Sequence, residues 1–291
     1  WVAAGTPKGD EKDMPAPPVF AKGWRIGKPD VVFTIPEEVT VPAKGTVKYK
    51  YFTTKTNFEK DVWVQAAEVR PGNRAVVHHV IVFSRRPGTK DQEWIAAVAP
   101  GADPLGLPEG FGRKIPAGAE LVWQIHYTAT GKEETDRSEI GLVFCKEPPK
   151  HQVLNYGIAN TGLRIPAGAS NHEVVGQLLV LRAGALTSLF PHMHLRGKDV
   201  EYQAVYADGK TETILSVPRY DFNWQHTYRL KEPLHLPAGA MIRVVAHFDN
   251  SSANPANPDP TATVRWGEQT WEEMMIGYID FFWEVPPKAG K

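Results

Sequence analysis

Four times this chain repeats one short device. It occurs in VPAKGTVKYKYF (41–52), IPAGAELVWQIHYT (115–128), IPAGASNHEVVGQ (165–177) and LPAGAMIRVVAHFD (236–249). An apolar residue precedes Pro-Ala, a glycine follows, and in most copies a β-type run then begins. Proline presets the turn and glycine supplies a permissive backbone before a strand enters its sheet. The second and fourth copies match over their length, and each places a histidine ten residues after its proline: His126 and His247. Such turns are common in β sandwiches, but the matched pair points further, to two similarly built β domains in tandem.

The rest of the chain agrees with an all-β fold. From residue 31 onward, short runs rich in Val, Ile, Tyr, Trp and Thr alternate with Pro/Gly/Asn/Asp turns, as an antiparallel β sandwich requires. No stretch has the period of a long amphipathic helix; Asp91–Ala99 is expected to manage two helical turns. Residues 1–30, with Pro7, Pro15, Pro17, Pro18 and Pro29 among Gly and Lys, read as a linker or N-terminal extension. The Pro-Pro-bearing segment CKEPPKHQ (145–152) predicts a boundary, giving one β domain over 31–150 and another over 151–291.

Composition excludes several classes. Lys+Arg and Asp+Glu both total 33, so charge points to neither nucleic acid nor an anionic membrane. No apolar run approaches the roughly 18–20 residues of a membrane-spanning helix. Cys145 is the only cysteine, which rules out an intrachain disulfide and by itself leans towards a reducing compartment. The chain begins at Trp1 without a methionine or a signal peptide, and is expected to be a mature form or a piece of something longer with a further upstream domain. No G-x-S-x-G, P-loop, H-E-x-x-H or Cys-x-x-Cys signature is present. Asn250-Ser251-Ser252 has the form of an N-glycosylation acceptor, a pattern frequent by chance.

Metal-ligating side chains cluster in three short segments, with a methionine in a fourth. In FPHMHLRGK, His192 and His194 are two apart, so on a strand both imidazoles point to one face and Met193 to the other. That makes a bidentate clamp, although such a pair standing alone is more often two hydrogen-bonded surface histidines. In VVHHVIVF, His78 and His79 are adjacent and would face opposite sides of a regular strand; joint ligation needs a bulge, a strong twist or a strand end. His126, in LVWQIHYTATG of the same half, is their expected third partner. In WEEMMIGYIDFF, one of Met274 and Met275 belongs in the interior and the other is free to face outward as a thioether ligand. Thioether favours Cu(I), while imidazole suits several transition metals. Three imidazoles plus a separate two-imidazole, one-thioether group would hold two copper ions in different ligand fields.

The order His-His, Gln-x-His-Tyr, His-x-His, Glu-Met-x-x-x-Tyr resembles the copper type II, ascorbate-dependent monooxygenases over roughly residues 31–285. The resemblance implies two antiparallel, jelly-roll-like β sandwiches facing each other across a solvent-filled cleft. It places His78, His79 and His126 on an electron-transfer copper, and His192, His194 and Met274 on an oxygen-binding copper, with Met275 in the core. It also places Gln124 and Tyr278 along the cleft. Peptide-amidating members carry an arginine two residues before His-x-His; here that position is Phe190, which implies a substrate without a carboxylate at that point. The animal members carry many disulfides, so a single cysteine implies a bacterial relative.

The resulting expectation is an oxygen-dependent C–H hydroxylase of a small organic substrate, periplasmic or secreted. It would use O2, two copper ions and an electron donor such as ascorbate. A non-enzymatic copper-binding or electron-transfer protein would use the same ligands. A β-sandwich adhesion or carbohydrate-binding module with incidental histidines would bind no stoichiometric copper. His247 remains a candidate because it holds the repeat position equivalent to His126.

Overall fold

The computed structural model describes residues 2–17 and 23–283, and its regular structure is almost entirely β. In the first half, Val31–Thr34, Glu139–Phe144, Val62–Arg70, Phe111–Ile115 and His151–Gln152 form one sheet in that order, with Leu105–Gly106 added to Val62–Arg70. Lys50–Lys55, Glu120–Tyr127, Val77–Arg85 and Gln92–Val98 form the other. Alternation decides what lies between them. Val80 and Val82 from one strand, Leu121, Trp123 and Ile125 from its neighbour, and Val64 and Ala67 from the facing sheet are all 0 % exposed and share one core. Trp123 also satisfies its indole N–H, donating to Thr54 Oγ1 at 3.1 Å.

The second half repeats the plan. One sheet runs Leu154–Ala159, Met275–Trp283, Gly184–Met193, Tyr228–Leu236; the other runs His172–Leu179, Met241–Phe248, Gly197–Val205, Thr211–Val217. Leu189, Met193, Ile279 and Phe281 pack on Tyr202, Ile242, Val244 and Ala246 in a second core. The all-β antiparallel expectation is therefore met. All four Pro-Ala devices are strand-to-strand turns: their glycines Gly45, Gly118, Gly168 and Gly239 have φ of 92, 67, 70 and 88°. In the matched pair the N–H of Ala119 donates to Pro116 O and that of Ala240 to Pro237 O, each turn with the glycine third, where a type II turn needs positive φ.

One expectation meets a different structure. Asp91–Ala99 is not helical: Gln92–Val98 is a strand paired with Val77–Arg85. Two helical turns are marginal alone, whereas a sheet edge offers a ready ladder and a core place for Ile95, 0 % exposed. Within the segment read as a linker, Trp24 and Pro29 close over Gly141 of the first half. Arg25 N–H there donates to Glu68 Oε2 at 2.5 Å. Asn250 is wholly buried; its side chain bonds Pro166 O, Ala262 O and the Arg196 guanidinium, so its amide is not an acceptor for glycans in the folded chain. No helix among the described residues is long and apolar enough to cross a membrane.

The halves touch through named contacts. A buried ion pair joins Arg113 on Phe111–Ile115 to Asp280 on Met275–Trp283. Tyr51 O–H donates to Glu268 at 3.0 Å, and Gln225 N–H to Pro100 O at 3.2 Å. A cavity of about 650 Å³ is lined by residues of both halves.

Candidate metal centres

In the first half the His79 strand pairs with the His126 strand, His79 directly opposite His126. The register shifts between Val77 and His79, so His78 sits in the bulge that two adjacent histidines need to share a face. The ligating nitrogens of His78, His79 and His126 can all lie within 4.8 Å of one another. Nδ1 of His78 and Nδ1 of His79 are 3.2 Å apart. Two imidazole nitrogens bound tetrahedrally at about 2.0 Å to one ion stand about 3.3 Å apart. Nδ1 of His126 is buried without a hydrogen-bond partner. An orphaned imidazole nitrogen beside two converging ones fits a metal ion and is costly otherwise. Tyr49 stacks on His126, centroids 4.8 Å apart at 12°, and holds its ring in place.

The second set is built by register. Gly184–Met193 pairs with Met275–Trp283, with His192 opposite Ile276 and Met193 opposite Met275. Met193 and Met275 are each 1 % exposed in the core. The opposite face, towards the first half, therefore carries Phe190 and His192 on one strand and Ile276 and Tyr278 on the other. Continuing the same register places His194 opposite the half-buried Met274. The His192 and His194 rings are 5.3 Å apart at 87°. Nδ1 of His192 lies 2.7 Å from Gln225 Oε1, and Nδ1 of His194 lies 3.3 Å from Glu272 O. Those carbonyls take the Nδ1 protons and leave both Nε2 lone pairs for an ion.

Burial keeps all five imidazoles neutral. It holds His126 down at about 4 and His194 at about 3. It lowers His78 as well, and His192 against the pull of the Gln225 bond. His79 is well below the usual value through burial and then the neighbouring imidazoles, His192 and His194 among them. Neutral imidazole is the ligating form. The second site's frame is Glu273, 0 % exposed, whose carboxylate accepts N–H bonds from His194 at 2.8 Å, Arg196 at 2.7 Å and Met274 at 3.1 Å. One side chain thus ties the histidine turn to the methionine strand. Burial pushes that carboxyl up to about 8, opposed by these three donors.

Met274→His is expected to keep an ion but shift the site towards Cu(II), changing its spectrum and suppressing oxygen uptake. Met275→Leu, a volume-conserving change in the core, is expected to cost under about 1.5 kcal/mol and leave the spectrum alone. A spectrum that responds to Met275 and not to Met274 would place the thioether one residue later.

Phe190 and Tyr278 line the cavity, with ring centroids 5.9 Å apart, and Trp94 of the first half packs 4.8 Å from Tyr278. Burial pushes the Tyr278 phenol up, so it is a neutral hydroxyl. Gln124 is not among the cavity's lining residues; it donates to Tyr51 O–H at 2.9 Å, in a chain that ends on Glu268. His247 is apart from both histidine sets. Its strand, Met241–Phe248, holds the same inner place as the His126 strand in a sheet of the same layout, but the His192 pair stands on the other sheet of that half. Nδ1 of His247 is 2.6 Å from Asp199.

Tyr49, Phe222, Gln225, Arg113 and Asp280 were not found by sequence reasoning. Tyr49 alternates with Tyr51 before the Phe52 strand, a detectable signal; the others carry none, because each acts on an element distant in sequence.

Two groups of candidate ligands stand on this all-β frame, three histidines in the first half and a histidine pair with a nearby methionine in the second. Residues 182–290 match the family model for the copper type II ascorbate-dependent monooxygenase, C-terminal domain. The resemblance read from the motif order is borne out there, and the match supports a copper- and ascorbate-dependent monooxygenase domain; His192, His194 and Met274 fall within the matched residues. No curated protein matches the chain significantly. Among solved structures, the major capsid protein P2 of bacteriophage PM2 is similar at 7 % identity and TM-score 0.35, covering 88 % of this chain and 99 % of that one. The A223 turret protein of Sulfolobus turreted icosahedral virus is similar at 10 % identity and TM-score 0.20, covering 86 % and 98 %. Likeness at that level carries no argument.

Proposed function

We propose that this protein is a two-copper monooxygenase that hydroxylates a C–H bond of a small organic substrate, with O2 and an external one-electron donor such as ascorbate, in the periplasm or outside the cell. The observation that carries the reading is a three-histidine cluster in the first half with a histidine pair in the second, the pair inside the matched segment and starting two residues past Phe190 of the cavity wall. Copper, when bound, supplies one-electron redox chemistry and dioxygen activation. One oxygen atom enters the C–H bond and the other leaves as water, which consumes two electrons; two metal sites in one chain suit that demand.

The chain's own residues do the rest. His78, His79 and His126 would hold one ion and His192, His194 and Met274 the other. Gln225 fixes the His192 tautomer, and Glu273 fixes the spacing of His194 and Met274. Phe190, Tyr278 and Trp94 present an apolar wall that orients a substrate and displaces water from it, while the Tyr278 hydroxyl offers one polar contact. Metal-dependent oxygen uptake with ascorbate tests the reading. Uptake that requires added copper and substrate is expected; copper binding without substrate-dependent uptake would favour the electron-transfer alternative.

Substrate charge is a separate prediction. Neither buried arginine nearby is free for a carboxylate. Arg113 is paired with Asp280 and donates to Ile95 O, while Arg196, 1 % exposed, donates to Asn250 and Trp271 O. At the exposed rim the cavity is lined by Arg229, Lys231, Asp103 and Glu232; Arg229 donates to Pro104 O, and Asp103 is paired with Arg25. A carboxylate reaching Phe190 would lose its hydration without compensation, at about 1–3 kcal/mol or more. A neutral aromatic molecule is therefore expected to be turned over at least about fivefold faster than a peptide ending in glycine. Efficient conversion of the peptide would overturn this.

A further inference from the structure

One side chain meets a histidine of each set. Phe222 stacks on His78, ring centroids 5.2 Å apart at 14°, and meets His194 edge-on at 6.0 Å and 86°. It belongs to the connection between Thr211–Val217 and Tyr228–Leu236 in the second half. That connection is not free to drift. The Tyr220 hydroxyl donates to Met193 O at 2.8 Å and accepts Met193 N–H at 3.1 Å, at the end of the strand that carries His192. Asp221 caps a tight turn, accepting Asn223 N–H on its side chain and Trp224 N–H on its carbonyl. Gln225, 2 % exposed, donates from Nε2 to Phe222 O at 2.9 Å while its Oε1 faces His192, and its N–H reaches Pro100 O of the first half. Six consecutive residues thus hold a second-site histidine, grip the first half and present a phenyl ring between the two sets.

We propose that Phe222 is a positioning residue that sets the separation of the two metal sites and keeps water out of the gap between them. This rests on the two-copper reading. A phenyl ring has no polar atom to compete for an ion, and its van der Waals thickness fixes how close two imidazoles on its face and edge can come. Because Gln225 holds both the Phe222 carbonyl and His192, the spacer and the second site move as one piece. A packed contact of this kind would hold constant the distance between ions bound at the two sets. In the absence of the ring the halves can close further or the gap can flood.

The test uses the full chain and three readouts. In the metal-free protein, the phenyl face shields the His78 ring protons, so their NMR signals are shifted upfield. Phe222→Ala and Phe222→Leu are both expected to lose that shift, and unchanged His78 signals in either would overturn the contact. With Cu(II) in both sites, magnetic dipolar coupling between the ions reports their separation. The parent is expected to show one narrow distance, Phe222→Ala a shifted or broadened one, and Phe222→Leu, which restores apolar bulk, a return towards the parent. In turnover, Phe222→Ala is expected to release severalfold more peroxide per molecule of product. A parental, narrow ion–ion distance in Phe222→Ala would sink the spacer role. A parent that never binds two ions would instead sink the underlying two-copper reading, and copper content per chain, measured first, separates the two failures.

Discussion

Changing His192 and His194 together to alanine is expected to leave a chain that binds one copper ion instead of two and takes up no oxygen with ascorbate and substrate. Both imidazoles stand on one strand end, ring to ring at 5.3 Å, and with them gone Met274 alone cannot hold an ion. The first set is built on other strands, with His78 and His79 in a bulge beside His126, and does not depend on them. The reciprocal change, His126→Ala, is expected to remove the other ion and leave the second. Gln225→Ala is a milder control: removing a hydrogen-bond partner of a ligating imidazole costs roughly 10–100-fold in affinity, so the ion should weaken without vanishing. Copper content after dialysis decides the matter. Loss of both ions in the His192/His194 variant, or a maximum of one in the parent, would refute two separable sites.

Arg113→Ala is expected to be the most destabilising single change at the junction of the halves, by about 3–5 kcal/mol, because it strands a buried carboxylate. Asp280 is 8 % exposed; apart from Arg113 it keeps only the Asn155 amide and the Ser188 hydroxyl, each at 2.8 Å. Arg113 also donates to Ile95 O at 2.7 Å, so that carbonyl loses a partner too. The double change Arg113→Met with Asp280→Leu removes both charges and is expected to recover most of the loss, since apolar groups of similar volume often replace a buried pair at little cost. The midpoint of urea unfolding measures both. A single variant with the parental midpoint would show that water reaches the carboxylate and that the junction is looser than the contacts imply.

Much of the site was legible because strand alternation is a local property. His192 and His194 flanking a core methionine needed only the two-residue period, and Met193 is indeed buried. The same period accounts for Met275 in the core and Met274 on the opposite face. The adjacent histidines were harder. Regular alternation separates them, and the register shift after Val77 that reunites them arises from pairing with the Glu120–Tyr127 strand, which no local pattern encodes. His247 shows the limit from the other side. The repeat placed it at the position equivalent to His126, and the strand layouts do correspond, yet the second half uses its other sheet for the histidine pair. A duplicated turn specifies how a strand enters a sheet, not which face of the sandwich meets a neighbour.

By itself, then, the sequence determined an all-β chain, its turn chemistry, the ligand types and the faces on which most of them lie, because these follow from backbone geometry within a few residues. Tertiary structure alone decided what lies between and around the ligands. Phe222 against His78, Gln225 on His192, Glu273 under His194 and the Arg113–Asp280 pair each join elements tens of residues or more apart or on opposite halves. Their partners are set by how two finished sandwiches pack, a matter of whole surfaces rather than of any stretch of chain.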